Sequence, residues 1–230
     1  MTKENVDFNR RFGGIARLYG EKKLQIFNNT HICIIGLGGV GSWAAESFVR
    51  HGIGKVTLID MDHIAESNIN RQIQALHSTI GDSKIRIMAK RLKDINPEIF
   101  IKTIDDFLEP NNIEQYINSS FDFVIDAIDQ TKVKIALAEF CTKKKISLLM
   151  TGGAGGKIDP SKIQIGTLDK THGDPLLSGI RKHFNKQKKI NGLAYKIPTI
   201  FSPETVIKPS IIEDNNHLEG LHCAGYGSSV

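Results

Sequence analysis

One stretch limits the fold more than any other. His31-Ile32-Cys33-Ile34-Ile35 is an apolar run that ends in Gly36-Leu37-Gly38-Gly39-Val40-Gly41, and Ser42-Trp43-Ala44-Ala45-Glu46-Ser47 then opens a helical pattern. Strand, glycine-rich turn and helix in immediate succession form the opening unit of a doubly wound α/β sheet. Glycines let backbone N–H groups approach a phosphate, and the helix start adds unsatisfied donors and a partial positive charge. The unit implies a bound nucleotide without saying which one or what becomes of it.

The pattern continues. Apolar strand-like runs at 31–36, 55–60, 99–104, 121–126 and 146–150 alternate with helical patterns near 39–51, 81–95, 110–118 and 131–144. In the second helix Ile85, Met88, Leu92 and Ile95 share one face, and Asn96-Pro97 stops it because proline disfavours helical geometry in the residue before it. Such alternation predicts a Rossmann-like, doubly wound, mostly parallel sheet with helices on both faces, extended by a smaller C-terminal region. The expected organisation is a helical arm over 1–30, with a helix near 20–28, a nucleotide-binding core over 31–168, and a crossover loop with a C-terminal extension over 169–230, all in one integrated domain. After residue 150 the alternation stops: Thr151-Gly152-Gly153-Ala154-Gly155-Gly156 is a glycine-rich turn, and a strand follows at 162–168. The basic run Arg181-Lys182-His183-Phe184-Asn185-Lys186-Gln187-Lys188-Lys189 reads as a solvated loop, the alternative being contact with phosphates.

Composition narrows the class. Of 230 residues 40% are hydrophobic and 24% charged, as in ordinary globular proteins. The first residues carry no apolar signal core, and no run approaches the ~18 apolar residues of a spanning helix. Peripheral membrane association is left open, since Gly225-Tyr226-Gly227-Ser228-Ser229-Val230 reads as an unfinished ending. Three distant cysteines, Cys33, Cys141 and Cys223, argue against a disulfide framework and for a reducing cytoplasm. Cys33 reads as strand core and Cys141 as helix packing. With no Cys-x-x-Cys pair, a four-cysteine zinc site within one chain is excluded. A net charge of +5 favours a polyanion such as RNA or marks a basic solvated surface.

Gly36, Gly38 and Gly41 satisfy the G-x-G-x-x-G dinucleotide pattern, and Asp60 ends the second strand where a carboxylate would meet a ribose. That fits a nicotinamide or flavin enzyme. However, Ser67-Asn68-Ile69-Asn70-Arg71-Gln72, Lys84 and Asp126-Ala127-Ile128-Asp129 follow later strand ends, and ligands of open α/β sheets lie beyond those ends. Cations and a free carboxylate gathered there suit a triphosphate being cleaved, where positive groups offset developing charge and an aspartate holds magnesium. Taken singly, Lys84 reads as a solvent-facing helix residue, Asp129 as a helix N-cap and Trp43 as packing.

Gly36-Leu37-Gly38-Gly39-Val40-Gly41, Asp60-Met61-Asp62, Ser67-Asn68-Ile69-Asn70-Arg71-Gln72, Lys84 and Asp126-Ala127-Ile128-Asp129, in this order over about 10–150, resemble the ubiquitin-activating-type adenylating superfamily that includes ThiF and MoeB. The resemblance implies that Gly36, Gly38, Gly39 and Gly41 lie against ATP and Asp60 holds the ribose. With Asp62 beside them, Asn68, Arg71, Gln72 and Lys84 would meet the phosphates, and Asp129 would hold Mg2+. Arg71, Lys84 and Asp129 are the implied catalytic residues. The resemblance also implies a homodimer in which an N-terminal arginine, Arg11 or Arg17, reaches the partner's triphosphate.

Two stretches, Arg11-Phe12-Gly13-Gly14-Ile15-Ala16-Arg17-Leu18-Tyr19-Gly20 and the turn from Thr151 to Pro160, are similar to the tRNA threonylcarbamoyladenosine dehydratase branch, as are Gly38–Glu46 and His222-Cys223-Ala224-Gly225-Tyr226-Gly227. That branch implies ATP-driven adenylation of the modified nucleoside's carboxylate beside the anticodon, followed by ring closure with loss of water. The alternatives are an adenylyltransferase for the C-terminal glycine of a small sulfur-carrier protein and a nucleotide-binding scaffold without activity. A sulfur-transfer partner and a reactive Cys223 are further implications of the superfamily.

Overall fold

The computed structural model describes residues 7–191 and 196–207. Two helices, α1 (Phe8–Tyr19) and α2 (Glu21–Asn29), lead into β1 (His31–Ile35), α3 (Gly41–Arg50), β2 (Lys55–Ile59), α4 (Lys84–Ile95), β3 (Phe100–Ile104), α5 (Ile113–Tyr116), β4 (Phe123–Asp126), α6 (Thr131–Lys144) and β5 (Leu148–Thr151). Then come β6 (Gln164–Thr167), α7 (Pro175–Asn191) and β7 (Pro198–Phe201). The strands form a single sheet in the order β3-β2-β1-β4-β5-β7-β6. All neighbours run parallel except β6 and β7.

Alternation along each strand sends side chains to opposite faces. Ile32 and Ile34 of β1, Val56 and Leu58 of β2 and Ile125 of β4 pack with Ala45 and Val49 of α3 and Ile85, Met88 and Leu92 of α4. Cys33, Ile35 and Val124 face the other layer, where Val133, Leu137 and Cys141 of α6 meet Leu177, Ile180 and Phe184 of α7. The doubly wound expectation therefore holds. Between β1 and β4 the strand order reverses direction, and such a switch point opens a crevice beyond the strand ends.

The differences are physical. Within the expected helical arm, residues 8–19 form a helix of their own ahead of the one expected near 20–28: Asp7 caps it by accepting the Arg10 N–H at 2.9 Å, and only Phe12 of its residues is buried. The helix expected over 110–118 shrinks to Ile113–Tyr116. Strand β7 extends the sheet, and the basic run at 181–189 is helical rather than a loop, because Leu177, Ile180 and Phe184 give α7 a buried stripe. No helix among the described residues is long and apolar enough to cross a membrane.

Candidate functional site

The crevice at the switch point is a cavity of about 510 Å³, within the range of small-molecule sites. Its floor is the glycine turn. Gly36 has φ +86°, and a Cβ there would lie 2.8 Å from the Ala127 carbonyl oxygen. At Gly41 a Cβ would sit 1.8 Å from the Gly36 carbonyl oxygen, so neither position admits a side chain. Gly38, Gly39 and Val40 then face the cavity from the start of α3.

Asp60 organises this turn from below. Its Oδ2 accepts the Leu37 N–H at 2.6 Å and its Oδ1 the Asp62 N–H at 2.8 Å. Burial raises the acid above the ordinary aspartate value, with the two amide bonds pulling the other way. Gln74, which the sequence reading did not single out, locks the turn further by donating to the Leu37 carbonyl at 2.8 Å.

The segment after β2 forms the next wall. Asn68 accepts from the Ala65 N–H at 3.1 Å. Arg71 donates to the Ser67 carbonyl at 2.8 Å and to Asn70 Oδ1 at 2.9 Å, and its stem lies over Gly39, where a Cβ would be 3.1 Å from Cγ. Trp43 of α3 is half-buried and lines a second cavity, and its indole N–H donates to the Arg71 carbonyl at 2.8 Å. Lys84, at the start of α4, is only 5% exposed and pairs with Asp62 at 2.6 Å. The solvent-facing reading of Lys84 thus fails, because the cavity wall encloses it.

Gly36, Gly38, Gly39, Asp60, Asp62, Asn68, Arg71, Gln72, Lys84 and Asp129 all line this one cavity. Gly41 stands behind the wall, where it lets the turn close against Gly36. Asp106, Phe107 and Leu108 after β3, the loop Thr151–Gly155 after β5, and Leu176 of α7 also line it. The strand-end rule applied to the third and fifth strands would have pointed to those two loops; no sequence pattern marks their individual residues.

Two ion pairs, both fully buried, hold the loops in place, and neither was legible in the sequence. Lys134 lies 2.9 Å from Asp126 Oδ1, while the Asp126 carbonyl accepts from Thr151 Oγ1 at 3.0 Å. This fixes the 127–130 loop to β5. Lys157 lies 2.9 Å from Asp174 Oδ2, which also accepts the Gly153 N–H at 2.9 Å, pinning the glycine-rich loop to the start of α7.

Four carboxylates (Asp60, Asp62, Asp106, Asp129) and two cations (Arg71, Lys84) border the cavity. Backbone amides hold Asp60, Lys84 holds Asp62, and the Tyr116 hydroxyl donates to Asp106 at 2.5 Å. Asp129 is exposed and has no protein partner among the described residues; the cap position of α6 falls to Gln130. A triphosphate would meet net negative charge here unless a divalent cation joined it. Mg2+ typically takes one or two carboxylates plus phosphate oxygens and water, and Asp129 fits that need. No group of three or more metal-ligating side chains exists among the described residues.

Arg11 is committed elsewhere. It donates to the Ile95 carbonyl at 2.6 Å and caps the C-terminal end of α4, whereas Arg17 is exposed. Cys33 and Cys141 are buried core thiols; burial pushes Cys33 up, and burial with the nearby Asp126 charge pushes Cys141 up to about 12, so neither is a nucleophile. Cys223 and the 222–227 stretch lie outside the described residues.

A model of the ThiF family matches residues 10–192. The tRNA threonylcarbamoyladenosine dehydratase of Escherichia coli is 48% identical over 204 residues, covering 87% of this chain and 76% of that protein. The Haemophilus influenzae dehydratase is 44% identical over 228 residues, covering 97% and 87%. A crystal structure of the Escherichia coli dehydratase in complex with ATP matches with a TM-score of 0.82 at 47% identity, over 87% of this chain and 84% of that one.

Proposed function

Because this chain belongs to the ThiF family, we propose that it uses ATP to dehydrate threonylcarbamoyladenosine in tRNA. The observation that carries this is the convergence of Asp60, Asn68, Arg71, Gln72, Lys84 and Asp129 on one cavity at the switch point, in a chain 44–48% identical to dehydratases over most of its length.

The glycine turn and the start of α3 receive the nucleotide, and Asp60 faces the ribose while bracing the turn. Arg71 and Lys84 offset phosphate charge, allowing the substrate carboxylate to approach the α-phosphorus. One carboxylate oxygen bonds to that phosphorus as the bond to pyrophosphate breaks, giving an acyl-adenylate. The substrate's own carbamoyl group then attacks the acyl carbon, AMP leaves, a proton is released and a ring closes. Because the acceptor is already attached to the electrophile, proximity replaces an enzyme nucleophile. Asp129 would hold Mg2+, which supplies further charge neutralisation on the phosphates when bound. Gln72 and Asn68 orient the phosphates, and the pinned 151–155 loop keeps water from the mixed anhydride.

The carrier-protein adenylyltransferase reading is weaker: molybdopterin-synthase adenylyltransferases are 29–31% identical over 56–64% of this chain, against 44–48% over 87–97% for the dehydratases. The working unit is a homodimer in the cytoplasm, with Arg17 rather than Arg11 available to a partner's phosphates, since Arg11 already caps α4. A sulfur-transfer protein is a further partner of this reading.

Exchange of labelled pyrophosphate into ATP tests the proposal. Exchange that requires tRNA bearing threonylcarbamoyladenosine supports it. Exchange driven by a protein ending in two glycines replaces it with the carrier reading, and nucleotide binding without exchange leaves only a scaffold.

A further inference from the structure

Helix α7 carries Arg181, Lys182, Lys186, Lys188 and Lys189 and not one acidic residue. At about 100° per residue, Lys182, Lys186 and Lys189 fall within roughly 60° of one another. They lie opposite Leu177, Ile180 and Phe184, which enter the core, and all three are exposed. Arg181 is occupied, donating to Thr171 Oγ1 at 2.8 Å. Glu139 of α6, which faces α7, is taken by His183 at 2.8 Å and Gln187 at 2.7 Å, and Glu114 of α5 is taken by Lys144. None of the three lysines has an ion-pair partner among the described residues.

Lysines on an outward face are usual, but here they sit at i, i+4 and i+7 with no alternating acid, so each repels the next. The helix dipole accounts for Lys188 and Lys189 in the last turn; it does not account for Lys182 or Lys186. The stripe also has a direction. Leu176 at the start of α7 lines the nucleotide cavity, and at 1.5 Å per residue Lys189 lies about 20 Å farther along the axis. The row thus leads away from the cavity mouth.

We propose that Lys182, Lys186 and Lys189 grip the phosphodiester backbone of the tRNA stem while its modified nucleoside occupies the cavity. This rests on the tRNA reading above. A polyanion anchored at one end of α7 meets beside it a row of positive charge that no acid among the described residues pairs with. An anionic lipid surface fits less well, because the neighbours on this face, Ser178 and Asn185, are polar, and among the described side chains of this face none is apolar.

The test is the full chain with Lys182→Gln, Lys186→Gln and Lys189→Gln together, against the triple arginine variant. Binding of tRNA bearing threonylcarbamoyladenosine is measured over a salt series, with steady-state kinetics and binding to phosphatidylglycerol vesicles. The glutamine variant is expected to bind tRNA at least tenfold more weakly. Its plot of log affinity against log salt should be shallower by about 2 to 3, at roughly 0.7–0.9 per lost phosphate contact. KM for tRNA rises while kcat and ATP affinity stay, and arginine restores binding. An unchanged affinity and slope in a folded glutamine variant, with wild-type protein still binding and converting tRNA, overturns the stripe alone. Loss of vesicle binding instead of tRNA binding overturns it in favour of a membrane. Wild-type protein that neither binds nor converts this tRNA overturns both readings.

Discussion

The Trp43 indole N–H donates to the Arg71 carbonyl at 2.8 Å, tying the first turn of α3 to the segment that brings a cation to the cavity wall. The backbone of Arg71 is thus set by a residue of the helix that follows the glycine turn. Trp43→Phe keeps an aromatic ring and deletes the donor. We expect KM for ATP to rise about fivefold to tenfold, with kcat nearly unchanged and a stability loss of about 1 kcal/mol. Steady-state kinetics beside thermal melts check this; an unaltered KM would detach Arg71 from Trp43.

Asp129 is the cavity carboxylate without a protein partner among the described residues. Asp129→Ala should lower turnover by roughly 100-fold or more while tRNA affinity remains close to wild type. Calorimetric titration of ATP with and without Mg2+ gives an independent readout: the variant should lose most of the metal's effect on ATP affinity. Turnover near the wild-type rate would remove Asp129 from the metal-holding role proposed for it.

Lys134 and Asp126 are both 0% exposed, and Asp126 Oδ2 has no hydrogen-bond partner. Burial raises the Asp126 acid, with the Lys134 charge opposing. Removing the lysine alone strands a buried carboxylate, so Lys134→Met should cost about 3–5 kcal/mol. Replacing both, Lys134→Met with Asp126→Leu, should recover part of that loss in denaturant melts. A Lys134→Met protein as stable as wild type would show that the pair does not hold the 127–130 loop.

Acid stability has a named contributor. Burial works against the charge on Glu46, but hydrogen bonds from Arg91 and Arg50 outweigh it and hold the acid below its ordinary value of 4.5. A depressed folded value means stability that is complete above about pH 4.5 and lost as pH falls through the lower folded value. Asp60, raised by burial, works in the opposite sense. Glu46→Gln should therefore be less stable at neutral pH and show a flatter loss below pH 4.5. Parallel melting curves for the two proteins at every pH would contradict this.

What the sequence disclosed was local. The glycine turn, the apolar face of α4 and the strand-end positions of Asp60, Arg71, Lys84 and Asp129 follow from short-range patterns and from one rule of open sheets. What it hid depends on pairing at a distance. Lys134 with Asp126 and Lys157 with Asp174 are charged residues that look solvent-bound until the chain folds. Helix α1 carries Phe8, Phe12, Ile15 and Tyr19 at helical spacing, but Gly13-Gly14 in its middle reads as a break, and lysines masked the buried stripe of α7. Asp106 carries no signal beyond lying after a strand.

On the function proposed above, ATP drives the loss of water from threonylcarbamoyladenosine in tRNA. Incubating the protein with ATP, Mg2+ and tRNA bearing that nucleoside, then digesting the tRNA for mass spectrometry, tests it most directly. The expected product is the nucleoside lighter by one water, with one AMP and one pyrophosphate formed for each. An unchanged nucleoside with ATP left intact would contradict the claim.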